Sequence, residues 1–123
     1  MILVDTSVWI DHLRVRDDDL TRLLSLGQVL GHPFVLGELA LGNLANRDTV
    51  LGALRGLPQA QVATDQEVQQ LITVTKLFGT GIGYIDAHLL ASARLSVGSV
   101  LWTRDKRLSA ASADLGLNAQ TLH

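Results

Sequence analysis

The sequence predicts an α/β protein: a three-layer α/β/α sandwich around a central, mostly parallel sheet, with residues 1–123 as one domain. Three observations lead there. Short strand-like runs alternate with helical periodicity, the order that builds parallel strands joined by crossover helices. The first run, Ile2-Leu3-Val4, is continuously apolar, as a strand buried on both faces is. A chain of 123 residues with 47% hydrophobic residues and mean hydropathy +0.27 suits a single core rather than disorder.

The elements follow in order. Strands are expected at Ile2–Val4, Gln28–Leu30, Gln61–Ala63, Val100–Trp102 and Asn118–Thr121. Helical spacing fills Ser7–His12, Asp19–Leu26, Phe34–Asn46, Thr49–Leu54, Asp65–Leu77, Tyr84–Leu95 and Lys106–Asp114. Gly27, Gly31 and Gly56-Leu57-Pro58 are turn signals between them. No internal repeat, low-complexity tract or linker interrupts the series.

Composition excludes several classes. No apolar run reaches the ~18 residues of a membrane span, so no membrane partner is expected. Met1 leads straight into the first strand, which leaves no room for a signal peptide. The absence of cysteine rules out disulfides and thiolate metal sites and fits a cytoplasmic protein. A net charge of −2 is not the basic balance of a typical nucleic-acid binder. An acidic pocket loaded with metal can still handle a polyanion, because the ion supplies the local positive charge.

Four acids stand out by position. Asp5 ends the first strand, where open α/β sheets place their ligand crevice. Glu38, one of two glutamates, lies four after Phe34 and three before Leu41, on the stripe Phe34, Val35, Leu41 and Ala45 that the periodicity turns inward. Asp86 repeats the pattern between Ile82 and Leu89-Leu90, close to a helix start that favours an anion. Asp105 follows the strand Val100–Trp102 by three residues. Singly, each has a plainer reading: Asp5 and Asp105 as helix caps, Asp86 as an N-terminal helix acid, Glu38 as the partner of an arginine. Together, four acids at one end of a sheet repel one another, and without a counter-ion some must take up protons. A hard divalent cation, Mg²⁺ or Mn²⁺, is the economical partner.

The order and context of these acids resemble the PIN-domain nucleases, most closely VapC-type toxins of bacterial toxin–antitoxin pairs. The resemblance rests on Val4-Asp5-Thr6-Ser7-Val8-Trp9-Ile10, Gly37-Glu38-Leu39-Ala40-Leu41-Gly42, Ile85-Asp86-Ala87-His88-Leu89-Leu90-Ala91 and Leu101-Trp102-Thr103-Arg104-Asp105-Lys106-Arg107-Leu108. It implies a parallel sheet flanked by helices and a Mg²⁺- or Mn²⁺-dependent endoribonuclease of tRNA or rRNA. It also implies a homodimer and a cognate antitoxin that masks the acidic pocket and alone contacts operator DNA. The family's acidic quartet maps onto Asp5, Glu38, Asp86 and Asp105, and the polar residue orienting the first acid onto Thr6 or Ser7, helped by Thr103.

On this reading Asp5 and Asp86 ligate the principal ion, and Asp105 binds a second ion or an outer-shell water. Glu38 holds or deprotonates the attacking water. Arg104, Lys106 and Arg107 are candidates for RNA phosphate contacts, and equally for a solvated helix start or partners of the acids. The rivals are a receiver-like phosphotransfer domain, a catalytically silent binding module of the same fold and a dehalogenase-like phosphatase. The first lacks an acidic pair beside Asp5, and the last wants an aspartate where Ser7 stands.

Other features carry less. Asp17-Asp18-Asp19 reads as a loop and helix cap, because it lacks the alternating ligands of a calcium loop. His88 lies two residues from Asp86, roughly 200° around the helix, off its face. His12, His32 and His123 are expected at the surface or in turns, and Gly79–Gly83 as a connection. Trp9 and Trp102 are expected in the core, and the apolar helices Phe34–Asn46 and Thr49–Leu54 either bury a dimer or antitoxin surface or pack into the core.

Overall fold

Three parallel strands in the order β2-β1-β3 form the centre of the molecule, described over residues 1–123 in a computed structural model. Along the chain these are β1 (Ile2–Val4), α1 (Thr6–Arg14), α2 (Asp18–Ser25), β2 (Val29–Leu30), α3 (Pro33–Ala40) and α4 (Arg47–Arg55). There follow α5 (Asp65–Val74), α6 (Tyr84–Leu95), β3 (Val100–Trp102) and α7 (Lys106–Asp114). Register pairs Ile2 with Val29 and Val100, and Val4 with Trp102. Successive strand residues point to opposite faces, yet Leu3 and Val4, Val29 and Leu30, and Leu101 and Trp102 are all buried. Both faces of the sheet are therefore covered, which makes three layers.

The expected edge strands shrink to single parallel bridges, Gly31 with Gln59 and Leu101 with Asn118. The segment Gln61–Ala63 is not a strand. Its N–H groups are taken by α6, Gln61 donating to the Ser96 hydroxyl at 2.9 Å and Ala63 to the Ser92 hydroxyl at 3.4 Å. The expected long helix Phe34–Asn46 also divides. α3 stops at Ala40, whose carbonyl accepts from the Arg47 guanidinium at 3.1 Å, and α4 begins after Asn46 in a left-handed conformation, φ 53°. Its buried residues are Val35 and Leu39, while Leu41 is 90% exposed, so the expected inward stripe through Leu41 and Ala45 does not form.

His32 is not a surface histidine; it is buried and fastens α3 to α6. Its Nδ1 accepts the Phe34 N–H at 3.0 Å, so Nε2 carries the proton facing Ser92 Oγ at 2.9 Å. Burial, with His88 adding a smaller effect, pushes its pKa down to about 4. Trp9 and Trp102 lie in the core as expected. Asp17 caps α2 by accepting the Leu20 N–H at 3.0 Å.

Candidate functional site

β1 is the point where the sheet order reverses: the chain runs from it to β2 on one side and later to β3 on the other. The crevice beyond the carboxyl end of such a strand is where α/β sheets bind ligands. Asp5 stands there, 5% exposed, held in the sheet by its N–H bond to the Trp102 carbonyl at 2.9 Å.

A buried carboxylate needs donors. Asp5 Oδ2 accepts the Ser7 hydroxyl at 2.6 Å and the Thr103 hydroxyl at 2.8 Å, with the Ser7 N–H at 3.4 Å. Both hydroxyls reach onward. Ser7 Oγ accepts the Arg104 N–H, and Thr103 Oγ1 accepts the Asp105 N–H, each at 3.1 Å. The turn after β3 is thereby tied to the turn after β1. Thr103 links Asp5 to Asp105, which itself caps α7 by accepting the Leu108 N–H at 2.9 Å. Ser7 and Thr103 thus orient the first acid. Thr6 does not: its hydroxyl donates to Glu38 Oε1 at 2.7 Å.

Glu38 is exposed rather than inward. It lies one position from the buried Leu39, at the rim of α3. Asp86 is half-buried in the first turn of α6. Its pKa is pushed up to about 6, first by desolvation and then by the charges of Asp5, Asp105 and Glu38, against the pull of the Gly83 N–H. All four acids therefore share one electrostatic field. No three of their carboxylates, alone or with histidines, converge into a complete set of ion ligands.

The cations near the site divide. Arg104 is committed elsewhere, its guanidinium bonding Asp17 at 2.6 Å, Asp11 at 2.8 Å and the His123 carbonyl at 3.2 Å. It therefore pairs with Asp11 and Asp17 and not with the acids of the quartet. Lys106 and Arg107 have no ion-pair partner and are exposed. His88 is buried against Asp65 at 3.1 Å and takes no part in the acidic cluster. Sequence reasoning did not single out Arg14. It lines a groove of about 470 Å³ with Ile10, Leu13, Leu39 and Leu44 that has Glu38 at one edge.

A parallel sheet carrying acids beyond its central strand defines a class, and comparison with known proteins supplies it. The PIN domain family model matches residues 2–114, and the chain belongs to that family. It is 51% identical over 117 residues to Ribonuclease VapC32 of Mycobacterium tuberculosis, in strains CDC 1551 / Oshkosh and ATCC 25618 / H37Rv alike. The alignment covers 95% of this chain and 94% of each relative.

Proposed function

We propose that this chain, as a single nuclease domain over residues 1–123, is a divalent-metal-dependent endoribonuclease acting as the toxin of a toxin–antitoxin pair. It hydrolyses phosphodiesters of tRNA or rRNA and so arrests translation and growth. The observation that carries the reading is the gathering of four acids beyond the carboxyl end of β1, where burial first, and then the charges of Asp5, Asp105 and Glu38, push the Asp86 pKa up. Such a cluster is poised to accept positive charge. The 51% identity to Ribonuclease VapC32 supports the ribonuclease chemistry.

The donors fit Mg²⁺ or Mn²⁺, being oxygen atoms of hard carboxylates without thiolate or imidazole. Mg²⁺ is commonly held by one or two carboxylates with water and substrate phosphate completing the sphere, so a full protein cage is not required. Asp5 and Asp86 would hold the principal ion, and Asp105 a second ion or an outer water. The ion, when bound, supplies a more acidic water and neutralises charge on the phosphate. Ser7 and Thr103 fix the Asp5 carboxylate by donating to its Oδ2. Glu38, oriented by Thr6, holds the attacking water and takes its proton. Lys106 and Arg107 are the phosphate contacts of the α7 side. Arg104 is a bracket joining that turn to α1 and α2.

The cognate antitoxin lays an apolar segment into the groove lined by Ile10, Leu13, Leu39 and Leu44, and so masks Glu38. The toxin is a homodimer in the cytoplasm, and operator DNA is reached only through the antitoxin. No helix is long and apolar enough to cross a membrane. The test is incubation of purified protein with structured RNAs in Mg²⁺, Mn²⁺ or EDTA, followed by mapping of the ends. Internal cuts that need metal are expected. Silence in both metals would instead favour a binding module of the same fold.

A further inference from the structure

We infer that the α5–α6 connection, together with Arg107, forms a binding patch for single-stranded RNA beside the acids. In it the Phe78 ring stacks on an unpaired base and the Arg107 guanidinium meets a phosphate. The inference rests on the ribonuclease reading and names how its substrate is gripped.

The first observation is which cations are free. Of ten lysines and arginines, Arg16, Arg22, Arg47 and Arg104 have carboxylate partners within 4.0 Å. Of the remainder, Lys76 and Arg107 line one cleft of about 410 Å³ between the end of α5, the connection and α7. Asp114 shares that cleft, but seven residues along α7 from Arg107, a rise of about 10 Å, so it closes the far end.

The second is how Arg107 is held. Its Nη1 lies 2.6 Å from where a Cβ on Gly81 would be, and Gly81 has φ +86°. That backbone favours glycine, and with no Cβ there the guanidinium lies directly against it. The guanidinium makes neither ion pair nor hydrogen bond, and Arg107 is exposed, so its donors are open to a ligand. The perch is also close to the acids. Gly81 is two residues before Gly83, whose own Cβ position is 3.9 Å from Asp86 Oδ2, and Arg107 is two residues after Asp105.

The third is the aromatic inventory. Trp9 and Trp102 are buried, Phe34 packs against His32 and His88, and Tyr84 packs on His88 while its hydroxyl donates to Asp65 at 3.2 Å. Phe78 is the exposed ring without an aromatic neighbour, 66% exposed on the connection, directly before Gly79 with φ +77°. An exposed ring two residues after the unpaired Lys76 and three before Gly81, against which Arg107 lies, offers the pairing used for single strands, whose bases stack while the backbone follows positive charge. An A-form duplex keeps its base faces hidden and does not suit the ring. The cations favour a polyanion over an apolar protein surface.

The experiment measures anisotropy of a labelled single-stranded RNA of mixed sequence, and of its duplex, in Ca²⁺. Steady-state cleavage is followed in Mg²⁺, and thermal melts confirm folding. Phe78→Ala should weaken single-strand binding by about 5- to 100-fold, raise KM and leave the salt dependence unchanged. Phe78→Trp should restore binding. Arg107→Ala should weaken binding about tenfold and reduce the slope of log affinity against log salt by about 0.7. Duplex binding should not respond to Phe78→Ala. Affinities of both alanine variants within about twofold of wild type would overturn the patch, as would loss of self-association in Phe78→Ala at unchanged RNA affinity. Wild type that binds RNA through these residues but cuts none would overturn the nuclease reading alone. Wild type that binds no RNA would overturn both.

Discussion

Replacing Asp86 by asparagine should make the metal-free protein more stable at neutral pH. Asp86 has its pKa pushed from the ordinary 3.8 to about 6, so above pH 6 the folded state carries a charge that costs it stability. The displacement is equivalent to about 3 kcal/mol at about 1.36 kcal/mol per pH unit. The side chain is only half-buried, and screening by solvent brings the figure to ~1–1.5 kcal/mol. The sign follows from proton binding. Between pH 4 and 6 the folded state binds more protons than the unfolded one, so this contribution falls as pH rises through that window. It is constant above the window and absent below it. Urea denaturation of wild type and Asp86→Asn in EDTA at pH 4 and pH 8 measures it. The two should differ by ~1–1.5 kcal/mol at pH 8 and by little at pH 4. An Asp86→Asn protein no more stable than wild type at pH 8 would refute the shared field of the four acids.

His32 has the opposite sign. Its folded pKa of about 4 lies below the ordinary 6.5, so stability from its neutral form is lost as pH falls from 6.5 to 4. In Asp86→Asn, where the opposing carboxylate is gone, stability should therefore drop by ~2–3 kcal/mol over that interval, read by urea titration at stepped pH. Thr103→Val removes one donor to buried Asp5 and the acceptor for the Asp105 N–H. It should cost ~1–3 kcal/mol in denaturation and slow RNA cleavage, with an unchanged melting temperature counting against it. Arg104→Ala breaks two short ion pairs and should lower stability by about 1 kcal/mol, less in high salt. It should leave the salt slope of RNA binding as in wild type, because that guanidinium is already engaged with Asp11 and Asp17.

Much of this frame was legible because the local signals agreed with the tertiary ones. Ile2–Val4 and Val100–Trp102 are continuous apolar runs, and both faces of the sheet are covered, so the strands form where expected. Tyr84–Leu95 and Lys106–Asp114 likewise have the expected bounds, the latter because Asp105 is a natural cap. Glu38 was singled out for an inward position it does not occupy. The periodicity continues through Leu41 and Ala45, but Arg47 closes α3 at Ala40 and turns the chain away. Periodicity has no term for a capping guanidinium seven residues on. Gln61–Ala63 failed as a strand for a similar reason, since the Ser92 and Ser96 hydroxyls compete for its N–H groups. Burial of His32 depends on Ser92, sixty residues away, and nothing at His32 itself announces that partner. The division of Thr6 and Ser7 between Glu38 and Asp5 is also a tertiary outcome, set by which acid each hydroxyl meets.

Stability and catalysis should separate at one residue, which gives the most direct test of a metal-dependent RNA-cleaving site. Asp86→Asn, shown to be folded and more stable than wild type in EDTA at pH 8, is incubated with RNA in Mg²⁺ or Mn²⁺ beside wild type, and internal cuts are counted. Metal-dependent cuts are expected from wild type and none from the variant. Cleavage by Asp86→Asn at the wild-type rate, or equal cleavage by wild type in EDTA, would contradict it.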